Sequence, residues 1–242
     1  MQWTMETFLL ANAIVIVSSI LQMATGVSVG MIIVPFLAMI SYTLVPVPIV
    51  FASLALTMMM AYQGRRHIDT QNMPQVGLGM LAGIVAALVL LKTVTFEYLG
   101  IIFGVFILFS VGISMKVKAF QLRRHINYSG GFAAGLMGAI AAVGGQVLAL
   151  LFQHHPLASM KATLAFLYTV FSLVMLLVFY IADELNYNQI ISGLYMMPGF
   201  FIGFALAPLF SQYFNPKYSK AVVLSMATLG ALVLIGKSLA VL

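Results

Sequence analysis

Residues 7–64 read TFLLANAIVIVSSILQMATGVSVGMIIVPFLAMISYTLVPVPIVFASLALTMMMAYQG and contain no Asp, Glu, Lys or Arg. A helix crosses the hydrocarbon core of a bilayer with about 20 mainly apolar residues, so this stretch is too long for one helix. Glycine and proline mark the places where such a helix can break, and here they lie at Gly26–Gly30 and Pro46–Pro48. The stretch therefore predicts three helical segments, over Thr7–Ala24, Met31–Ile40 and Ile49–Tyr62.

The composition of the whole chain agrees with a lipid environment. Of its 242 residues, 63% are hydrophobic and 7% are charged, whereas a soluble domain carries about 25% charged residues. A soluble enzyme and a disordered chain are both excluded as the default, and residues 1–242 are predicted to form one integral-membrane domain with at most about eight spans. The absence of cysteine excludes disulfides and thiol catalysis. We interpret the net charge of +6 as loop charge near anionic lipid, not as a nucleic-acid surface.

The rest of the chain divides into further apolar segments separated by polar loops. The loops cover residues 63–72, 116–128 and 183–189. One apolar segment, Gly130–Phe152, is broken at Gly144-Gly145. The remaining predicted helices are Met73–Leu91, Tyr98–Met115, Ala158–Ala182, Ile190–Phe210 and Ser219–Val241.

The order of these segments repeats. An offset of 110 residues pairs Pro46 with Pro156 and Ser53 with Thr163, and an offset of 120 pairs Gly79 with Gly199 and Gly83 with Gly203. We predict an all-α polytopic integral membrane protein with two pseudo-symmetric halves, each a glycine-broken segment, which could be re-entrant, plus three helices. Repeat 1 covers about residues 7–115, a linker covers 116–128, and repeat 2 covers about 129–242. Two halves with one hydropathy plan are typical of transporters.

Charge in the loops predicts the topology. Loops 63–72 and 116–128 are basic and are predicted to be cytoplasmic, while the loop at Asp183-Glu184 has no Lys or Arg. If that acidic loop lies outside, Gly130–Ala182 must cross an odd number of times. A re-entrant hairpin at Gly130–Phe152 would satisfy this and would make the halves inverted. Eight full crossings with parallel halves are the alternative, and we favour the inverted arrangement.

Several short motifs carry a family resemblance over about residues 12–239. They are Val34-Pro35-Phe36-Leu37, Ala52-Ser53-Leu54, His67-Ile68-Asp69 before a glycine-containing helix, and a second copy with Gly131–Gly135, Gly144-Gly145 and Lys161-Ala162-Thr163. In these motifs the chain resembles the TauE/SafE-type sulfite-exporter family. Gln146 stands where that family usually carries another glycine. The resemblance implies a membrane permease for small anions, such as the sulfur oxyanion sulfite or the organosulfonate sulfoacetate.

The two glycine breaks are the first candidates for substrate binding. An interrupted helix frees N–H groups at the start of its second part, and these carry partial positive charge that attracts an anion. One such end would be formed by Gly26, Ser28 and Gly30, and the other by Gly144, Gly145 and Gln146. Close helix packing through small residues is the alternative explanation of these glycines.

Two hydroxyl groups occupy matching positions early in their helices, on Ser53 and Thr163. A hydroxyl donates to an oxyanion without adding a permanent charge, so we predict that both bind substrate. The alternative is a hydrogen bond from each hydroxyl back to its own helix.

Three basic or titratable residues lie beside the second proline turn. Lys161 could attract anions at a pore entrance, although it could also be an interfacial lysine that extends its charge to the membrane surface. His154 and His155 could carry protons for coupled transport, or could belong to a plain surface loop. Arg65 and Arg66 are interpreted as topology anchors.

We therefore predict a multi-pass permease of the cell membrane that moves a small anion by alternating access between two broken helices. No catalytic residue, metal site, cofactor or nucleic-acid partner is predicted, and a homo-oligomer stays open. A membrane-embedded enzyme and a non-transporting assembly or sensor protein are the alternatives. The enzyme would need a nucleophile–base pair or a metal, and no motif spacing supports either.

Overall fold

The computed structural model describes residues 3–25, 30–116, 123–211 and 216–240, and over these it is helical without strands. Ten α-helices, numbered in chain order, are joined by loops and three short 3₁₀ turns. The helices are α1 Met5–Thr25, α2 Gly30–Ile40, α3 Val47–Gly64, α4 Met73–Thr93, α5 Leu99–Lys116, α6 Arg124–Ala141, α7 Gly145–Phe152, α8 Leu157–Ile181, α9 Tyr187–Ser211 and α10 Pro216–Leu239.

Five stretches in this described part of the chain are long and apolar enough to cross a membrane. The multi-pass membrane protein predicted from composition is thereby confirmed, although the count of eight segments is not. The five stretches are Tyr42–His67, Met73–Thr93, Ala158–Ile181, Tyr187–Phe210 and Ala221–Leu239.

The predicted linker was wrong at its C-terminal side. Helix α6 begins at Arg124, so residues 124–128 are helical and not part of a loop. This first turn of α6 is polar, and a hydrogen bond to the segment before α4 stabilises it in place of apolar packing. Asn127 is buried, and its Nδ2 donates to Oδ1 of Asn72, just before α4, at 3.0 Å.

Glycines set the contact between α4 and α6, which run parallel. A Cβ atom added at Gly131 would lie 3.0 Å from Cα of Val76, and one added at Gly135 would lie 2.8 Å from Cα of Met80. From the other side, Gly79 and Gly83 face the backbone of α6 equally closely. Small residues allow backbones to approach in this way within a membrane.

Helices α6 and α7 form a hairpin. Helix α6 ends where Ala142 adopts a left-handed conformation with φ of 51°, and the Ala142 N–H donates to the Gly138 carbonyl at 2.9 Å. The chain then runs back along α6. A Cβ at Gly144 would lie 2.9 Å from the Gly138 N atom, and one at Gly130 would lie 2.8 Å from Cδ1 of Leu151.

The helix ends gather at two opposite faces of the bundle. We call the face with the 3₁₀ turn Arg65–His67, the start of α6 and the start of α8 the basic end; there the Asp69 N–H donates to Oγ1 of Thr163 at 2.9 Å. We call the other face the far end; there Nζ of Lys92, near the end of α4, lies 3.8 Å from Oε1 of Glu184, just after α8. The loop at Asp183-Glu184 is thus on the opposite face from the basic loop 63–72.

Candidate functional site

A cavity of about 240 Å³ lies in the interior of the bundle, between residues of α1, α3, α4, α6, α7, α8 and α9. Most of its wall is apolar. The larger apolar side chains on the wall are Met60, Met80, Met160, Phe171, Phe200 and Phe204. Its polar side chains are fewer, and they are Ser19, Ser53, Thr57, Lys161, Tyr168 and Ser172.

The structure brings only some of the predicted site residues to this cavity. Ser53, Gly144, Gly145 and Lys161 line it. The predicted site residues that do not line it are Gly30, Gln146, Thr163, His154 and His155. The predicted site residues Gly26 and Ser28 lie outside the described residues.

The start of α7 forms one wall of the cavity. Val147 and Leu148 donate their N–H groups to the Gly144 carbonyl at 3.2 and 3.4 Å, and Tyr168 donates its hydroxyl to the Gly145 carbonyl at 3.0 Å. The N–H groups of Gly144 and Gly145 find no acceptor among the described residues. Both lie at the end of a helix that carries partial positive charge.

Gly30 brings the beginning of α2 to the same region. A Cβ atom there would collide with the carbonyl oxygen of Ala142, and would lie 2.6 Å from the Ala142 carbonyl carbon and 3.3 Å from the Val143 N atom. The start of α2 and the turn between α6 and α7 are therefore in direct contact. Two positions that are more than 100 residues apart in the sequence meet only through the fold.

The two predicted hydroxyls have other partners. Oγ of Ser53 donates to the Val50 carbonyl of its own helix at 3.1 Å, which is the alternative that the sequence left open. Thr163 is fully buried, and its Oγ1 accepts the N–H of Asp69. Because Ser53 bonds its own backbone and not a histidine, it does not form the nucleophile–base pair that an enzyme would need.

Gln146 is buried beside α5 and not at the cavity. Its Nε2 donates to Oγ of Ser114 at 3.3 Å, while its Oε1 has no partner in the described part of the chain. Lys161 is exposed on α8. Because it also lines the cavity, the cavity reaches the protein surface beside a positive charge.

The two histidines differ in their surroundings. His154 is exposed, whereas the ring of His155 is only partly exposed and packs against Phe152 with 5.6 Å between ring centroids. Nε2 of His155 lies 3.6 Å from Oδ2 of Asp69. No cluster of three or more His, Asp or Glu side chains able to hold a metal occurs within the described ranges.

Ser19 is the residue that sequence reasoning missed. Ser19 is one of the residues that line the cavity, only 6% of it is exposed, and its Oγ has no hydrogen-bond partner among the residues described. Ser18 is also buried with an unpartnered Oγ, but it does not line the cavity. The only sequence signal was a pair of adjacent serines within an apolar helix, and that signal does not say which of the two faces the cavity.

Comparison with known families agrees with the motifs. The sequence profile described as "Sulfite exporter TauE/SafE" matches residues 11–234. The chain belongs to this family. The resemblance predicted from the motifs is confirmed, and TauE/SafE membership makes the protein one of a family of membrane exporters, not of enzymes. No curated protein and no solved structure was matched by the chain.

Proposed function

We propose that the protein is a secondary transporter for a small sulfur-containing anion and that the cavity is its substrate site. The observation that carries this proposal is the start of α7. There Gly144, Gly145 and Ser19 line the cavity, and neither the two glycine N–H groups nor the Ser19 hydroxyl has a hydrogen-bond partner among the described residues. Such donors suit an oxyanion, because they supply partial positive charge without a fixed cation buried in lipid.

The wall of the cavity favours an organosulfonate over bare sulfite. Phe171, Phe200 and Phe204 offer apolar surface well beyond what a small oxyanion could contact. A sulfonate group bound at the start of α7 would leave room for a carbon chain against these rings. Binding pockets that combine a mainly apolar wall with a few polar groups orient an amphiphilic ligand in this way.

We further propose that the two halves are inverted repeats with α1 and α2 corresponding to α6 and α7. Two sets of contacts support this. Helix α4 packs on α6 through Gly79 and Gly83, and α9 packs on α1 through Gly199 and Gly203, which are the glycines that an offset of 120 residues pairs. Helix α2 packs on α10, as α7 packs on α5.

The directions of the chain support inversion over parallel halves. Helix α6 starts and α7 ends at the basic end, where Asn127 bonds Asn72 and His155 approaches Asp69. Helix α1 instead starts at the far end, where Nε1 of Trp3 donates to Oγ of Ser192 near the start of α9, at 3.1 Å. Helix α2 also ends there, because Nζ of Lys237 near the end of α10 donates to the Met39 carbonyl at 3.3 Å. The pair α1 and α2 would then start and end at the far end, and the pair α6 and α7 at the basic end. Inverted repeats of this kind occur in alternating-access carriers with a midplane site.

The charges support a cytoplasmic basic end in a cell-membrane protein. Arg65, Arg66 and Arg124 lie at this face, and cytoplasmic loops are enriched in such residues. Lys161 is exposed at the same face and also lines the cavity. It would raise the local concentration of anions at the cavity opening.

A liposome assay tests this function. The purified protein is reconstituted, and uptake of labelled sulfite, sulfoacetate and an arenesulfonate is compared with uptake of the matching carboxylates. We expect saturable flux of sulfonates, with the arenesulfonate competing at the lowest concentration because it also contacts the apolar wall. Absence of flux for every anion, with correctly inserted protein, would contradict the proposal.

A further inference from the structure

A polar network at the basic end joins the loop between α3 and α4 to the second half of the chain. The backbone N–H of Asp69 donates to Thr163 on α8, and the carboxylate of Asp69 faces His155 in the turn before α8. Asn72 bonds Oδ2 of Asp69 at 3.4 Å and also accepts a hydrogen bond from Asn127 on α6. One short loop is thus fastened to α6, to the α7–α8 turn and to α8.

We propose that Asp69 and His155 form a proton-linked latch that holds the two halves together at the basic end. A proton on the His155 ring would convert a contact between a carboxylate and a neutral ring into an ion pair, with its N–H directed at Oδ2 of Asp69. Imidazole gains or loses its charge between about pH 5 and 8. The pair would therefore be strong on the acidic side of that range and weak on the alkaline side.

The position of the pair makes this charge change effective. The side chains of His155 and Asp69 are 23% and 16% exposed, so solvent screens their interaction only in part and protons can still reach the ring. Asp69 is also anchored by the bonds from Asn72 and from the Gln71 N–H, the latter to Oδ1 at 2.9 Å. The carboxylate is thus held facing the ring.

The other charged groups on the elements that meet here are almost all basic. Among those described, only Asp69 is acidic, and it is therefore the one anion on these elements that can receive a protonated His155. The groups are Arg65, Arg66, His67 and Asp69 on the α3–α4 connection, Arg123, Arg124 and His125 around the start of α6, His154 in the α7–α8 turn, and Lys161 on α8.

The far end carries a different ion pair, and the difference predicts an asymmetric response. Lys92 and Glu184 are each 47% exposed, and this pair contains no imidazole. A pH change between about 5.5 and 8.5 would therefore loosen the basic end while leaving the far end unchanged. In a transporter, this would bias the exchange between conformations with pH.

The absence of cysteine allows a direct test in the full-length protein. Spin labels are attached through Gln71→Cys and Ala158→Cys, two exposed positions on either side of the latch, and their distance is measured in lipid nanodiscs. We expect a short, narrow distance distribution at about pH 5.5 and a shift to longer distances at about pH 8.5.

Three variants identify the groups responsible. His155→Gln and Asp69→Asn should each abolish the pH-dependent shift, and the double variant should behave like either single one, because both remove the same interaction. His154→Gln is the matched control and should keep the full shift. A pH-independent wild-type distance, or a wild-type response in His155→Gln, would overturn the latch. These distances need no substrate, so their outcome is separate from that of the transport assay.

Discussion

The contact between α4 and α6 and the start of α7 are both built from glycine, but the glycines do different work. At Gly79, Gly83, Gly131 and Gly135 an added Cβ would meet backbone atoms of the facing helix, so the missing side chain is filled by a neighbour. At the start of α7, Gly144 packs in this way against α6, but Gly144 and the adjacent Gly145 also line the cavity. Small residues in a membrane protein therefore mark close packing or a binding site according to what faces them.

The largest effect is expected from a change within the α4–α6 contact. Gly135→Ala would place a Cβ against the backbone of Met80, with two Met80 atoms at 2.8 Å, and backbone cannot move aside as a flexible side chain can. Overpacking of this kind costs about 1–3 kcal/mol or more. We expect loss of monodisperse protein in size-exclusion chromatography and a lower unfolding temperature.

Gly77→Ala is the control for that variant, because Gly77 lies on α4, in the same pair of helices, but a Cβ added there would meet nothing within 4 Å. It should stay as stable as the wild type or gain up to about 1 kcal/mol, since alanine favours a helix more than glycine does. Equal stability of the two variants would remove the distinction between packed and open glycines.

An intermediate effect is expected at the start of α7. Gly145→Val should abolish anion flux in liposomes while the protein still inserts and purifies normally. A branched side chain would shield the N–H groups of Gly144 and Gly145, which have no acceptor among the described residues. Gly112→Val on α5, where nothing lies within 4 Å of an added Cβ, is the matched control and should transport normally. Wild-type flux through Gly145→Val would rule out substrate binding at this helix start.

The smallest effect is expected from Ser19→Ala. A hydrogen bond to a charged group contributes about 1.5–3 kcal/mol, so loss of the hydroxyl should weaken the apparent affinity for the transported anion about 10-fold or more. Competition of the anion against labelled substrate measures this change. Ser18→Ala removes a neighbouring buried hydroxyl that does not reach the cavity, and the same affinity change in both variants would contradict a direct role for Ser19.

Much of the helical architecture could be predicted from local signals. Charge-free segments and glycine breaks predicted the segments later found as α2, α3 and α7 to within two residues at most ends. The start of α6 was missed because Arg124–Tyr128 is polar. A hydropathy pattern identifies apolar segments and does not detect a polar helical turn. The hydrogen bond between Asn127 and Asn72, which keeps this polar turn packed, joins residues far apart in the chain.

The candidate site was less predictable than the fold. Four predicted site residues, Gly144, Gly145, Ser53 and Lys161, line one cavity, and their role in binding stays a prediction. No sequence signal separates Ser19 from Ser18. Thr163 matches Ser53 in position, yet it binds the Asp69 loop. Matching positions along two helices do not require matching partners, because the partners come from other segments.

The sequence by itself determined that the chain lies in lipid, that it is helical, where its apolar segments are broken by glycine, and which family it belongs to. These depend on composition and on short motifs, which act locally: apolar residues enter lipid, and glycine interrupts a helix wherever it lies. Only the tertiary structure decided that Gly30 meets the α6–α7 turn, that Ser19 is among the residues lining the cavity, and that Asp69 faces His155 and not His154. Each of these pairings depends on how distant helices pack, and a single side chain carries no information about its neighbours across the bundle.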